Sequence, residues 1–221
     1  IGDDGDNSFL VKVAGSEKDL NSVTDKITAM LKTNFASINP DIQKTDIVGP
    51  KAGEQLRISG FQAMAWALLM IMVYIGLRFD FKYSPGAIVA LLHDVLIIIG
   101  IFIVLDREFS LQVVGALLAV IGYSVNDTVV VYDRVREQEV KMPGQGLGKQ
   151  INTALNETLT RTMLTSITTL MVSLVMLFVG GAGIADFFFA ISLGVFIGTY
   201  SSVFVAAPTV LFFDKIKGQK A

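Results

Sequence analysis

"LQVVGALLAVIGYSVNDTVVVYDRVRE", Leu111 to Glu137, decides how the chain is read. Its first half is almost wholly apolar. The run resumes at Thr128–Tyr132 and ends at Asp133-Arg134. Asn126 and Asp127 sit inside it, side by side. An ionisable side chain at membrane depth costs about 2.5–3.5 kcal/mol at mid-helix, so it marks a protein-facing position and often an ion path. Tyr123 and Ser124 precede Asp127 by four and three residues and share its helical face. Gly115 and Gly122 are spaced for a bare stripe that admits a neighbouring helix.

Outward from this helix the same pattern repeats. The chain has 221 residues, 52% of them hydrophobic, and a mean hydropathy of +0.58. Five stretches reach the roughly 20 helical residues that span a hydrocarbon core. They lie near 58–79, 86–105, 111–132, 159–179 and 187–212. "DFKYSPG" (Asp80–Gly86), "DREFS" (Asp106–Ser110) and "GGAGIAD" (Gly180–Asp186) are short turns, with Ser84-Pro85 as a helix start and Asp186 as a helix N-cap. Short connections predict antiparallel neighbours in a compact all-α membrane bundle.

Positive charge sets the orientation. Arg78, Lys82, Arg134, Arg136, Lys141, Lys149, Arg161, Lys215, Lys217 and Lys220 cluster on one side; the opposite membrane-span loops carry Arg107. The loops after the first, third and fifth spans are expected in the cytoplasm, with the tail 215–221, and residues 1–57 outside. That region reads as a partial α/β extracytoplasmic domain. "SFLVKVAG" (Ser8–Gly15) and "IQKTDIVGP" (Ile42–Pro50) have strand character, and Glu17–Phe35 repeats Leu20, Val23, Ile27 and Leu31 at helical spacing. Lys51–Arg57 is the tether. So small a piece buries little core and is expected to be the back half of a larger domain. In the cytoplasmic loop 133–158, "MPGQGLG" is a break, followed by Leu147, Ile151, Leu155 and Leu159 in register: an interfacial amphipathic helix feeding the fourth span, with a simple extension of that span into the cytoplasm as the alternative.

Two further polar sites lie at membrane depth. Arg161 opens the fourth span in a hydroxyl-rich setting, with Thr162, Thr165 and Thr168; an Arg is a fixed cation that can hold or release a carboxylate, or simply snorkel to the cytoplasmic interface. His93-Asp94 lies in the second span, about 12 Å in from Pro85 at 1.5 Å per residue. His93 can relay protons or simply orient the helices, and adjacent residues point to different neighbours. On the last span Ala190, Gly194, Gly198, Ser202 and Ala206 form a small-residue packing seam, and "DFFFA" (Asp186–Ala190) an interfacial aromatic belt. Burial favours a neutral carboxyl and a nearby cation its anion. An Asp127–Arg161 arrangement on facing helices is therefore a proton-coupled switch, driven by a gradient worth about 2.3 kcal/mol per charge per 100 mV.

Composition excludes other chemistry. The chain has no cysteine and one histidine, leaving little for a metal site. No basic, aromatic-interleaved stretch suits nucleic acid, and no phosphate loop or nucleophile–base spacing suggests an enzyme. No cofactor is expected beyond the proton gradient itself.

"VGPKAGEQL", "ALLHDVLIIIGIF", "VIGYSVNDTVVVYDRVRE" and "TLTRTMLTSITTLMV" occur in order between Val48 and Val172. In these motifs the chain resembles the SecD/SecF family of bacterial protein-export membrane proteins, and SecF in particular, within the resistance–nodulation–division superfamily. The resemblance implies six transmembrane helices, with a periplasmic domain between the first and second, in the bacterial inner membrane. It implies pairing with SecD, association with the SecYEG channel and YajC, contact with membrane lipids and translocating preprotein, and use of the proton-motive force in late translocation and release. It assigns the proton site to Asp127, of "GYS-x-ND", and Arg161, of "TLxRTxxTS", with Asp94 of "HD" carrying less weight. The five spans are then helices two to six. The first helix and its "DFxGG"-type segment are expected to lie outside this sequence, which starts at Ile-Gly-Asp-Asp-Gly without initiator Met or signal peptide. The same pattern fits a separate SecF or the back half of a fused SecDF chain. Two other readings compete: an exporter of small molecules or lipids from the same superfamily, and a non-transporting scaffold in which Asp127 and Arg161 are a structural pair.

Overall fold

At lipid depth no water is available to the backbone, so each apolar stretch must close its hydrogen bonds within itself, and helices result. The fold is seen in a computed structural model, which describes residues 20–35, 50–79 and 82–218. Its helices are α1 (Leu20–Asn34), α2 (Pro50–Arg78), α3 (Ser84–Val104), α4 (Leu111–Lys141), α5 (Leu147–Val179), α6 (Ala182–Ser201) and α7 (Ala207–Gly218), with a π-helical segment, Ser202–Ala206, joining the last two. Five stretches are long and apolar enough to cross a membrane: Arg57–Arg78, Ser84–Val104, Leu111–Lys141, Leu147–Val179 and Ala182–Ile216. The chain divides into two compact units, Leu10–Ser59 and the region from Gly60 onward. In the first, α1 is described; the expected strands at Ser8–Gly15 and Ile42–Pro50 lie outside the described residues, except Pro50, which begins α2. The tether Lys51–Arg57 is helical and continuous with the first span.

Much of the bundle surface is apolar. Leu77, Val104 and Phe178 are 80%, 83% and 81% exposed, as expected of side chains that meet lipid rather than water. Inside, two apolar cores stack along the bundle. One gathers Met64, Leu91, Ile98, Phe102, Leu117 and Ile197. The other gathers Ile75, Phe79, Tyr83, Tyr132, Ile151 and Val210. In sequence a buried polar belt falls between them: Asp94 on α3, Ser124, Asp127 and Thr128 on α4, and Ser201 and Ser202 at the end of α6.

The turns follow local chemistry. Pro85 sits in the first turn of α3, where its missing N–H costs nothing. The Ser110 hydroxyl accepts from Val113 N–H and caps α4. Gly181, at φ 82°, starts α6 five residues earlier than an Asp186 cap requires. Asp186 is therefore not the N-cap. It lies in the second turn, where its Oδ1 accepts from Arg107 Nη1 at 2.6 Å and ties the α3–α4 turn to α6.

The segment from Leu147 feeds the fourth span without a break: it forms the first turns of α5. Ile151 and Ala154 pack into the core beside Tyr132 and Val135 instead of facing headgroups. Polar ties hold it there. Glu157 Oε2 accepts from Arg134 Nε at 2.6 Å and from Gln138 Nε2 at 2.5 Å, and Gln150 Nε2 donates to the Met142 carbonyl at 3.0 Å.

Small residues set the closest approaches. A Cβ on Gly86 would lie 2.5 Å from Tyr132 Oη and 2.7 Å from the Ala206 carbonyl oxygen. Gly198 sits against Ser124, and a Cβ on Gly194 would overlap the Val120 side chain. Gly194→Leu should therefore prise α6 from α4 and cost about 1–3 kcal/mol, the usual penalty of overpacking. Thermal unfolding of the purified protein in detergent measures it. An unchanged midpoint would mean that this contact opens freely.

Candidate functional site: a polar belt inside the bundle

Asp94 lies at the crossing of α3, α4 and α6 and is 1% exposed. Its Oδ2 accepts from Ser124 Oγ at 2.6 Å and from Ser201 Oγ at 2.8 Å. Its Oδ1 is 3.1 Å from His93 Nδ1. Three helices thus converge on one carboxyl, whose oxygens are all engaged. His93 and Asp94 touch each other, and their other neighbours differ, as adjacent helical residues should: Asp94 meets Ser124 and Ser201, and His93 meets Tyr200. The imidazole is half-buried and stacks on Tyr200, with ring centroids 6.3 Å apart.

Asp127 is buried but differently served. It lies three residues beyond Ser124, so one face of α4 carries both the Asp94 contact and the second carboxyl. Asp127 is 5% exposed and Thr162, on α5, is 1% exposed. Asp127 Oδ2 and Thr162 Oγ1 make no hydrogen bond of normal geometry, although the two side chains face each other across the α4–α5 contact. Arg161, the adjacent residue on α5, is the cation whose field reaches Asp127. Arg161 is itself exposed on the bundle surface and forms no ion pair with Asp127. Asn126 points away from the belt and is exposed.

A hydroxyl ladder joins α5 to its neighbours. Ser166 Oγ lies 2.6 Å from Thr199 Oγ1 and accepts from Tyr123 Oη at 3.2 Å. One step along, Ser192 Oγ donates to Ser173 Oγ at 2.9 Å. The spacing of seven on each helix keeps the two rungs in antiparallel register. At lipid depth such bonds average about 0.6 kcal/mol each, so the ladder fixes register more than it adds stability.

Gly115 and Gly122 have no atom within 4 Å of an added Cβ. Their stripe faces out of this chain, with Ala119 and Asn126, so it packs no helix among the described residues. Gly194 and Gly198 do pack, on α4. Sequence reading missed Ser201 and the role of Ser124. The available signal was weak: both are hydroxyl residues one helical turn from a small or charged neighbour.

The belt and bundle define a multi-pass α-helical membrane protein with carboxyls held inside it. The model of the family "Protein export membrane protein SecD/SecF, C-terminal" matches residues 26–216. The protein translocase subunit SecF of Rickettsia prowazekii is 42% identical over 94% of this chain and 66% of its own length. That of Rhodothermus marinus is 41% identical over 94% of this chain and 69% of its own length. The crystal structure of SecDF, a translocon-associated membrane protein from Thermus thermophilus, superposes with a TM-score of 0.76 at 38% identity, covering 86% of this chain and 27% of that one. SecDF in a super-membrane-facing form gives 0.74 at 35% identity, over 89% and 27%. The chain belongs to the SecD/SecF family of protein export membrane proteins. It spans about two thirds of the length of the SecF relatives and about a quarter of the SecDF chains.

Proposed function

We propose that the chain is the membrane-embedded part of a protein-translocase subunit that uses a proton gradient to drive late translocation and release of preproteins. The observation that carries this reading is Asp127: a buried carboxyl with an unserved oxygen, within reach of the field of Arg161. As an anion it is drawn to that cation. As a neutral acid it is not, and α4 and α5 are free to shift. Asp94, already saturated by His93, Ser124 and Ser201, anchors the other side of α4 while that happens. A paired structural role for Asp127 and Arg161 is less well supported, because the two do not form an ion pair.

The exposed small stripe of α4, Gly115 to Gly122 with Asn126, is the face offered to a second membrane subunit of SecD type. A SecYEG-type channel, YajC, preprotein and lipids complete the proposed surroundings. In the same reading the bundle lies in a bacterial inner membrane, with residues 1–57 belonging to an outer α/β domain and the tail in the cytoplasm.

The test uses the full-length protein with its partners in sealed vesicles. Release of a late-stage preprotein should be faster with a proton gradient than after a protonophore, and only in vesicles that contain this protein. Equal rates with and without the gradient would end the reading.

A further inference from the structure

Thr162 behaves unlike its neighbours on α5. A hydroxyl at lipid depth needs a partner, and a helical Thr always has one available in the carbonyl three or four residues back. Thr158 uses Ala154 O at 2.9 Å, Thr165 uses Arg161 O at 3.1 Å, Thr168 uses Leu164 O at 2.9 Å and Thr169 uses Thr165 O at 2.9 Å. Thr162 is more deeply buried than Thr165, Thr168 or Thr169 and declines the same offer, leaving its Oγ1 without a bond. The side chain it faces is Asp127, whose Oδ2 is likewise unserved. Two buried, unpartnered polar atoms, on side chains that interact across the α4–α5 contact, are a donor and an acceptor.

We propose that Thr162 is a positioning residue for Asp127, its hydroxyl swinging between the Asp127 carboxyl and the carbonyl of Thr158 on its own helix. The two staggered positions open to a helical Thr are the physical basis of the swing. Turned outward, the hydroxyl donates to Asp127 Oδ2 and locks α5 to α4 at the belt. Turned back, it satisfies itself within α5 and lets the helices part. Arg161, on the same turn of α5, supplies charge but no such alternative. On α4 itself, Ser124 lies three residues before Asp127 and bonds Asp94, which contacts His93 on α3.

This inference rests on the proton-coupled reading of Asp127, and the test separates the two. Full-length protein with its partners is reconstituted as wild type, Thr162→Val, Thr162→Ser and Asp127→Asn. Two quantities are read: the gradient-driven rate of preprotein release, and the infrared C=O band of the protonated Asp127 carboxyl, identified by its absence in Asp127→Asn. Thr162→Val should move the band to higher frequency, as a carbonyl does when it loses a donor. It should slow gradient-driven release roughly 3- to 20-fold, the range that one interhelical hydrogen bond in a membrane is worth. Thr162→Ser should restore both. If Thr162→Val matches wild type in band and rate while Asp127→Asn loses its gradient dependence, the Thr162 proposal alone falls. A slower rate with an unmoved band, not rescued by Ser, is a packing effect and overturns it too. If Asp127→Asn keeps its gradient dependence, the proton-coupled reading fails and takes this role of Thr162 with it.

Discussion

Asp127→Asn, in the full-length protein with its partners, is expected to release preprotein at one rate whether or not a proton gradient is present. The amide keeps the volume and polarity of the carboxyl, so the buried site on α4 should still pack and the complex should still assemble. What is lost is the ability to alternate between charge and neutrality beside Arg161. A charge carried through about 100 mV is worth about 2.3 kcal/mol, enough to bias a two-state equilibrium roughly 50-fold. Without a titrating group that bias has nothing to act on. Release from inverted membrane vesicles, with and without protonophore, reads the ratio directly. A mutant that keeps the wild-type ratio would make Asp127 a structural residue and return attention to Asp94.

Asp94→Leu is expected to destabilise the fold rather than to abolish coupling selectively. It strips the acceptor from Ser124 and Ser201, which bond it at 2.6 and 2.8 Å from two other helices. In water-soluble proteins each orphaned buried group costs about 1–3 kcal/mol. Interhelical bonds in membranes are worth less, about 0.6 and at most about 1.7 kcal/mol, because the separated helices find other partners. The membrane figures are the relevant ones, and two bonds give about 1–3 kcal/mol. Ser201→Ala should cost less than Ser124→Ala, since Ser201 Oγ also approaches its own Gly198 carbonyl at 3.1 Å. Detergent unfolding of the three variants, with the Asp94–Ser124 double mutant, gives the coupling. No coupling between those two positions would mean that the carboxyl is not the joint of the three helices.

The membrane spans were legible because hydropathy and length are properties of a single segment. Arg57–Arg78 and Ser84–Val104 fall within two residues of the stretches read from sequence. What depends on a second segment was not legible. Leu147–Thr158 has the pattern of a helix at a lipid surface, but the same pattern serves a helix whose apolar face meets Tyr132 and Val135. Asp186 looked like a cap because the start of α6 depends on the left-handed Gly181, which the sequence shows only as one of two glycines. Gly115 and Gly194 are equally small; one meets nothing and the other meets Val120. For the site, the charged residues on single helices were visible: Asp94 and Asp127 in the belt, and Arg161 beside it. Their partners were not: Ser201 is 107 residues from Asp94, and only the crossing of α3 with α6 brings them together.

The π-helical segment Ser202–Ala206 lies inside the last membrane-length stretch, Ala182–Ile216. A π turn is an α-helix carrying one additional residue. Deleting a single codon there would restore a regular helix and leave the downstream faces nearly in place, whereas closing the turn to a regular helix with the residue kept would turn everything downstream by about 100°. In that second case Val210 would rotate out of the core it shares with Ala87 and Tyr132, and a new set of side chains would face the lipid. A membrane helix has no loop in which to absorb such a change. The last span is therefore a stretch where the winding of the chain, and not only its composition, is under constraint.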